Sequence, residues 1–313
     1  MAEPKPTTSE SDRTAVRRRR GRLLHALLAT LGAVVRRLPL GIARAAGVAL
    51  GHVAWHAAIR ERRRAIANLA VAFPDWTARK RRSTARSMFQ HLGMSVMEIL
   101  WLPRLDASNL SRTTAFEGEE RAAQLVRDGH GVIVFTGHCG NWEWLAYAVG
   151  LICHPVTVLQ RERNEAHVNR FITETRARAG IRTIDRGSTG AGREMIQALR
   201  RGGMLAFLID QSFRTESVKV PFFGIPALTP IGPAKLAVRT ESFVVSAFIA
   251  RRGGKQHIRF SEPVKMRRDD DPVALTARIT ADIEAQIRRQ PEQWVWLHDR
   301  WRERPKYDVT MSS

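Results

Sequence analysis

Apolar residues follow two regimes along the chain. From Leu23 to Val35, and again from Leu38 to Ile59, they are nearly continuous, the second run interrupted by Pro39, Arg44, His52 and His56. From Thr77 onward they fall in short bursts with helical or buried-strand spacing. Thr77 predicts an N-cap for a helix reaching about Trp101, with Phe89, Leu92, Val96 and Ile99 on one face. A helix over 119–127 precedes a buried strand, GVIVFT, at 131–136. A helix from Trp142 to Val149, a strand at 155–159 and a helix over about 165–179 follow. A glycine-rich turn at 187–192 leads into a helix ending near Arg201, and strands are predicted at 204–209 and 243–249. Thr229-Pro230 reads as a cap and first helical residue. Asp271 and Pro272 open a last helix, with Leu275, Ile279, Ile283 and Ile287 four apart as a core stripe. Short apolar strands alternating with helices predict one α/β domain, its mostly parallel sheet covered by helices. No useful internal repeat is present.

The first sixty residues read differently. Residues 1–22 are expected to be a disordered basic tail, 23–60 a pair of membrane-associated helices, 61–305 the α/β domain and 306–313 a C-terminal tail. A spanning helix needs about 20 clean apolar residues, and neither early run meets that, although one tilted span over 23–43 stays open. A secretory signal fits less well, because basic residues resume at Arg36 with no convincing cleavage site.

Charge sharpens the picture. The 313 residues include 51 Lys and Arg against 30 Asp and Glu, a formal charge of +21. Such an excess calls for an anionic partner: membrane, phosphorylated lipid, acidic protein or nucleic acid. Clusters at 17–22, 60–64 and 79–82 beside apolar runs suit the inner face of an anionic bilayer. No helix-turn-helix, RNA-recognition signature or zinc finger supports nucleic acid. Two cysteines, Cys139 and Cys153, exclude a disulfide framework. The ten histidines form no recognisable metal cluster, and no metal is expected. GSTGAG at 187–192 lacks the lysine and spacing of a P-loop.

The chemistry is concentrated in Thr136-Gly137-His138-Cys139-Gly140-Asn141-Trp142-Glu143, which closes a strand and opens a helix. Strand ends of this kind border a crevice in α/β sheets. On one helix His138 and Glu143 would stand about 140° apart. With His138 in the turn and Asn141 as N-cap, the Glu143 carboxylate is expected to reach back to the imidazole. It would then set the tautomer for proton abstraction from an alcohol. The bland alternative is a structural histidine beside a helix-start glutamate. A Cys139 nucleophile is disfavoured, since nucleophile and base are usually brought together by the fold rather than by adjacency.

GHCGNWE is similar to the His-x4-Asp/Glu motif of bacterial lipid A late acyltransferases of the lauroyl and myristoyl type, within the glycerolipid acyltransferase superfamily. RRRAIANLAVAFPDW from Arg62, DQSF from Asp210, VPFFGIPALTPIGPAKLA from Val220 and PEQWVWLHDRW from Pro291 resemble further family segments in order, so the likeness spans roughly 23–305. The resemblance implies that His138 is the general base and Glu143 its orienting partner, and that Arg176 and Asp210 matter for catalysis. An ionised Asp210 at a buried strand end needs a partner such as Arg176. Arg161 and Asn164 resemble a further family element, and with Gly137, Gly140, Asn141 and Gln211 they are the expected substrate-binding residues, while Phe222 and Phe223 fit either an acyl groove or ordinary core. Backbone amides near 137–140, or Arg176, are expected to meet the oxyanion. Glu162 stands where a proline usually follows the arginine, and Cys139 where relatives often carry an aromatic residue, so the Arg161 role and the site lining are the departures from the pattern. The implied activity is acyl transfer from acyl carrier protein or CoA thioester, without a cofactor, to a glycolipid hydroxyl at the cytoplasmic face of the cell inner membrane. A hydrolase using the same site, or a non-enzymatic basic binding protein, are the alternatives.

Overall fold

The apolar bursts gather into one sheet in a computed structural model of the chain, which describes residues 29–160, 166–212 and 215–301. Its central strands are β2 (Val132–Thr136), β3 (Val156–Gln160), β4 (Ile181–Asp185), β5 (Met204–Leu208) and β8 (Phe243–Arg252). These run parallel in the spatial order β8-β2-β5-β3-β4. Beyond β8 lies β9 (Lys255–Phe260), antiparallel to it, with β1 (Thr114–Glu117) parallel to β9 at the edge. The two-residue β10 (Val264–Lys265) also pairs with β8. The sheet is therefore mixed, and its parallel half is the part the strand–helix alternation predicted.

Side-chain alternation gives the sheet two apolar faces. Ile133, Phe135, Leu205 and Phe207 meet Ile279, Ile283 and Ile287 of α11 (Pro272–Arg289) on one side. Val132, Val134, Val156, Val158 and Met204 meet α6 (Glu119–Arg127) and α7 (Trp142–Ile152) on the other. The remaining long helices of the domain are α8 (Ala166–Arg178), α9 (Ala191–Arg200) and α10 (Gly232–Thr240). Asp271 caps α11 through the amides of Val273 and Ala274, as Asp-Pro predicts.

Two expectations are corrected. Thr229 and Pro230 begin no helix; they end β7 (Ile225–Pro230), which pairs along its whole length with β6 (Ser217–Phe222), and α10 starts only at Gly232. A proline is tolerated there because it sits in the terminal pair of a two-stranded hairpin. In α4 (Ala78–Trp101) Phe89 is buried and Leu92 and Ile99 pack against the core as expected, whereas Val96 is 46% exposed. The inward face also carries Ala85, Met88, Gly93, Ser95 and Glu98, so the expected stripe fails only at Val96 and misses the small and charged residues beside it.

The inward face is small because α4 packs closely on α2 (Leu40–Ala57). A Cβ on Gly93 would fall 2.1 Å from the Gly47 carbonyl oxygen and 2.7 Å from the Gly51 nitrogen. Residues 29–35 form a preceding helix, α1, and α3 (Ile59–Ala72) follows. Among the described residues no helix is long and apolar enough to cross a membrane. Outward on α2, Ile42 is 55% and Val53 63% exposed, while Ala43, Gly47, Gly51 and Trp55 face in.

Candidate active site

The turn after β2 is held from three directions. Asn141 caps α7 by accepting the Trp144 amide at 3.1 Å. Gly140 adopts φ +57°, and a Cβ there would stand 2.5 Å from the Ile249 carbonyl oxygen, so only glycine fits. The segment after α11 lies across the turn: the Gly140 amide donates to Gln293 O at 2.7 Å, and the Val295 amide donates to His138 O at 3.3 Å.

Within this frame the partner of the His138 imidazole is Asp210, just beyond β5, and not Glu143. Nδ1 lies 2.8 Å from Asp210 Oδ1, and the His138 amide donates to Oδ2 at 2.7 Å. The Trp294 indole donates to the same Oδ2 at 2.7 Å. Burial pushes the Asp210 carboxyl up, but the His138 charge, these hydrogen bonds from His138 and that of Trp294 outweigh it and bring it down to about 2. An ionised carboxylate accepts, so Nδ1 carries a proton, and in the neutral imidazole Nε2 is the nitrogen with the free lone pair. The His138 side chain is 18% exposed, and its ring packs edge-on against Trp142 at 4.8 Å. This arrangement can accept a proton from a bound alcohol.

Glu143 points away from the turn toward α8. It receives Arg176 Nε at 2.9 Å and Nη2 at 2.6 Å, while Arg176 Nη1 donates to Gln160 at 2.9 Å. The expected Arg176–Asp210 pair is thus replaced by a buried Arg176–Glu143 fork. The reason is positional: Arg176 lies on the side of the sheet covered by α7 and α8, where Glu143 opens a helix. Asp210 turns toward the histidine loop instead.

The amides expected to meet an oxyanion are largely engaged. Those of His138, Cys139 and Gly140 donate to Asp210, Gly137 O and Gln293 O. Gly137 lies against Asp210, where a Cβ would approach its carboxyl carbon to 3.2 Å. Gln211 is half-buried next to Asp210. Phe222 and Phe223 are buried in an aromatic cluster with Trp294, Trp296 and Trp301, so they support the site from beneath. Arg161 and Asn164 lie outside the described residues. Burial, with the Asp210 charge, pushes the Cys139 thiol far up, which removes it as a nucleophile. Among the described residues no three His, Cys, Asp or Glu side chains stand together as a metal site.

Sequence reasoning overlooked Glu98. Fully buried, it accepts Arg44 Nε at 2.7 Å, Arg251 Nη2 at 2.6 Å, Asn141 Nδ2 at 2.9 Å and Gln256 Nε2 at 2.9 Å. It therefore ties α2, α4, β8 and β9 to the cap of α7. Burial raises its carboxyl, yet Arg251, Arg44 and Asn141 hold it below the usual carboxylate range. Beside it, burial and then the Arg251 charge depress the His91 imidazole to about 4. The unfolded chain takes up that proton near pH 6.5 and the folded chain does not, so stability rises with pH across this window. Acidifying from pH 6.5 to 4 is expected to remove on the order of 3 kcal/mol. Urea midpoints across that range should show the loss, and His91→Gln should flatten it.

Two apolar cavities flank the strand ends. One, of about 380 Å³, lies between α9 and α10 and is lined by Met195, Ile196, Phe207, Ile209 and Leu236. The other is a narrow slot between α7 and the sheet, with Trp142, Glu143 and Arg176 among its lining residues.

Comparison with known proteins identifies the family. Residues 14–303 match the model of the family described as bacterial lipid A biosynthesis acyltransferase. A lipid A biosynthesis acyltransferase of Haemophilus influenzae is 29% identical, the match covering 86% of each chain. The lipid A biosynthesis lauroyltransferase of Escherichia coli is 26% identical over 87% of this chain and 89% of its own. A phosphatidylinositol mannoside acyltransferase of Mycobacterium tuberculosis is 26% identical over 65% and 66%. A match over nearly the whole length leaves no room for a borrowed motif: the chain belongs to the bacterial lipid A biosynthesis acyltransferase family and is an O-acyltransferase.

Proposed function

We propose that the protein moves a fatty acyl chain from a thioester of acyl carrier protein or CoA onto a hydroxyl of a lipid A precursor or related glycolipid. The observation that carries this reading is the 2.8 Å contact between His138 Nδ1 and Asp210, which leaves Nε2 as the basic atom. The acceptor oxygen attacks the thioester carbonyl as its proton passes to Nε2. The tetrahedral adduct then collapses, breaking the carbon–sulfur bond, and the leaving thiolate takes the proton from the imidazolium. Asp210 stabilises that cation and holds its ring.

The lipid acceptor is met at a membrane surface. Of the nine exposed large apolar side chains among the described residues, seven (Leu31, Val34, Ile42, Leu50, Val53, Ile59 and Val96) belong to α1–α4. Arg36, Arg37 and Arg60 adjoin them, a pattern suited to insertion beside anionic headgroups of the inner membrane's cytoplasmic face. The basic surface also suits an acidic carrier protein.

Incubating the protein with radiolabelled acyl thioester, with and without a glycolipid acceptor, tests the reaction. Label is expected on the lipid only when the acceptor is present. Free fatty acid as sole product in both tubes would instead mark a hydrolase.

A further inference from the structure

The orphan in this site is the hydroxyl of Thr136. Thr136 is the last residue of β2, is 4% exposed, and its Oγ1 has no hydrogen-bond partner in the protein. Buried polar groups are nearly always paired, and the exceptions call for an explanation. Thr136 is among the residues lining the slot between α7 and the sheet. The walls are mostly apolar, with Val134, Val158, Ala206 and Leu208 from the strands and Ala146 and Val149 from the helix, and Glu143 and Arg176 are the charged members. The space in the slot open to the centres of water-sized bodies is about 40 Å³, room for about three of them, which accommodates the first carbons of an acyl chain. Trp142, which packs on His138, and Arg176 line the same slot.

Resting on the acyl-transfer reading above, we propose that Thr136 Oγ1 is the hydrogen-bond donor to the acyl carbonyl, with the first carbons of the donor chain lying in this slot. A developing oxyanion needs donors not already engaged. The amides of 138, 139 and 140 are spent within the turn. Arg176 commits three N–H groups to Glu143 and Gln160, and its charge is balanced there. The Thr136 hydroxyl commits nothing in the protein, and it stands two residues before the base. Its hydrogen bond strengthens as the carbonyl oxygen gains charge, and no proton leaves Oγ1.

The test compares Thr136→Val and Thr136→Ser with the wild type. Valine keeps the shape and removes the donor; serine keeps the donor. Thr136→Val is expected to lower kcat about 10²-fold with the acceptor KM unchanged and thermal stability equal or higher, since a buried unpaired hydroxyl becomes a methyl. Thr136→Ser is expected to stay within about fivefold of wild-type turnover, a far smaller loss than deleting a donor brings. Undiminished turnover in Thr136→Val overturns the assignment. So does a loss of melting temperature that parallels the loss of activity, or a Thr136→Ser as slow as the valine variant. Failure of the wild type itself to transfer acyl groups from any thioester removes the reaction reading and this assignment with it.

Discussion

Replacing His138 with alanine is expected to reduce turnover about 10²–10⁴-fold while leaving the far-ultraviolet spectrum and melting temperature near those of the wild type. The loss is confined to chemistry because the imidazole is partly exposed and its removal opens no core cavity. Asp210→Asn is expected to fall within the same range for a separate reason. An amide at this position can offer Nδ1 an N–H in place of an oxygen, favouring the tautomer whose Nε2 carries the proton. Glu143→Gln should lose less, because Glu143 touches Arg176 and not the imidazole. Single-turnover rates of the three variants decide the matter. A severe loss in Glu143→Gln beside near-normal Asp210→Asn would return the orienting role to Glu143.

The second large effect concerns stability. Glu98→Ala is expected to lower unfolding free energy by about 3–5 kcal/mol, the scale for stripping one partner from a buried ion cluster. Arg44 and Arg251 would be left facing each other's charge in the interior, with Asn141 and Gln256 losing their acceptor. Glu98→Gln keeps an acceptor oxygen but not the charge, and should fall between. Denaturant midpoints measure both, and a loss under about 1 kcal/mol in the alanine variant would mean that the two guanidiniums find water or other partners.

Local pattern carried much of this architecture. The Asp-Pro start and four-residue stripe of α11 made that helix legible, and the glycine-flanked histidine between an apolar strand and an aromatic-rich helix marked the strand-to-helix turn that the structure shows. What stayed hidden is what depends on distance along the chain. His138 and Asp210 are 72 residues apart, and Asp210 and Trp294 are 84 apart. No spacing rule pairs such residues, so the nearest carboxylate, Glu143, drew the role. Strand β4, at the sheet edge, escaped because the two apolar residues of its Ile181-Arg-Thr-Ile-Asp sequence stand three apart, off the two-residue period of a strand. Glu98 looked like one more helix-surface glutamate, because burial of a charge leaves no mark in a helical period.

The strip from Gln293 to Val295 lies across the histidine turn and supplies Asp210 with its indole donor. These residues leave the ribosome well after every strand of the sheet has been made. A nascent chain halted before them would hold His138 and Asp210 with neither the clamp on the turn nor the third hydrogen bond on the carboxylate. The clamp on the turn and the third donor to Asp210 are therefore the last parts of this cluster to be made.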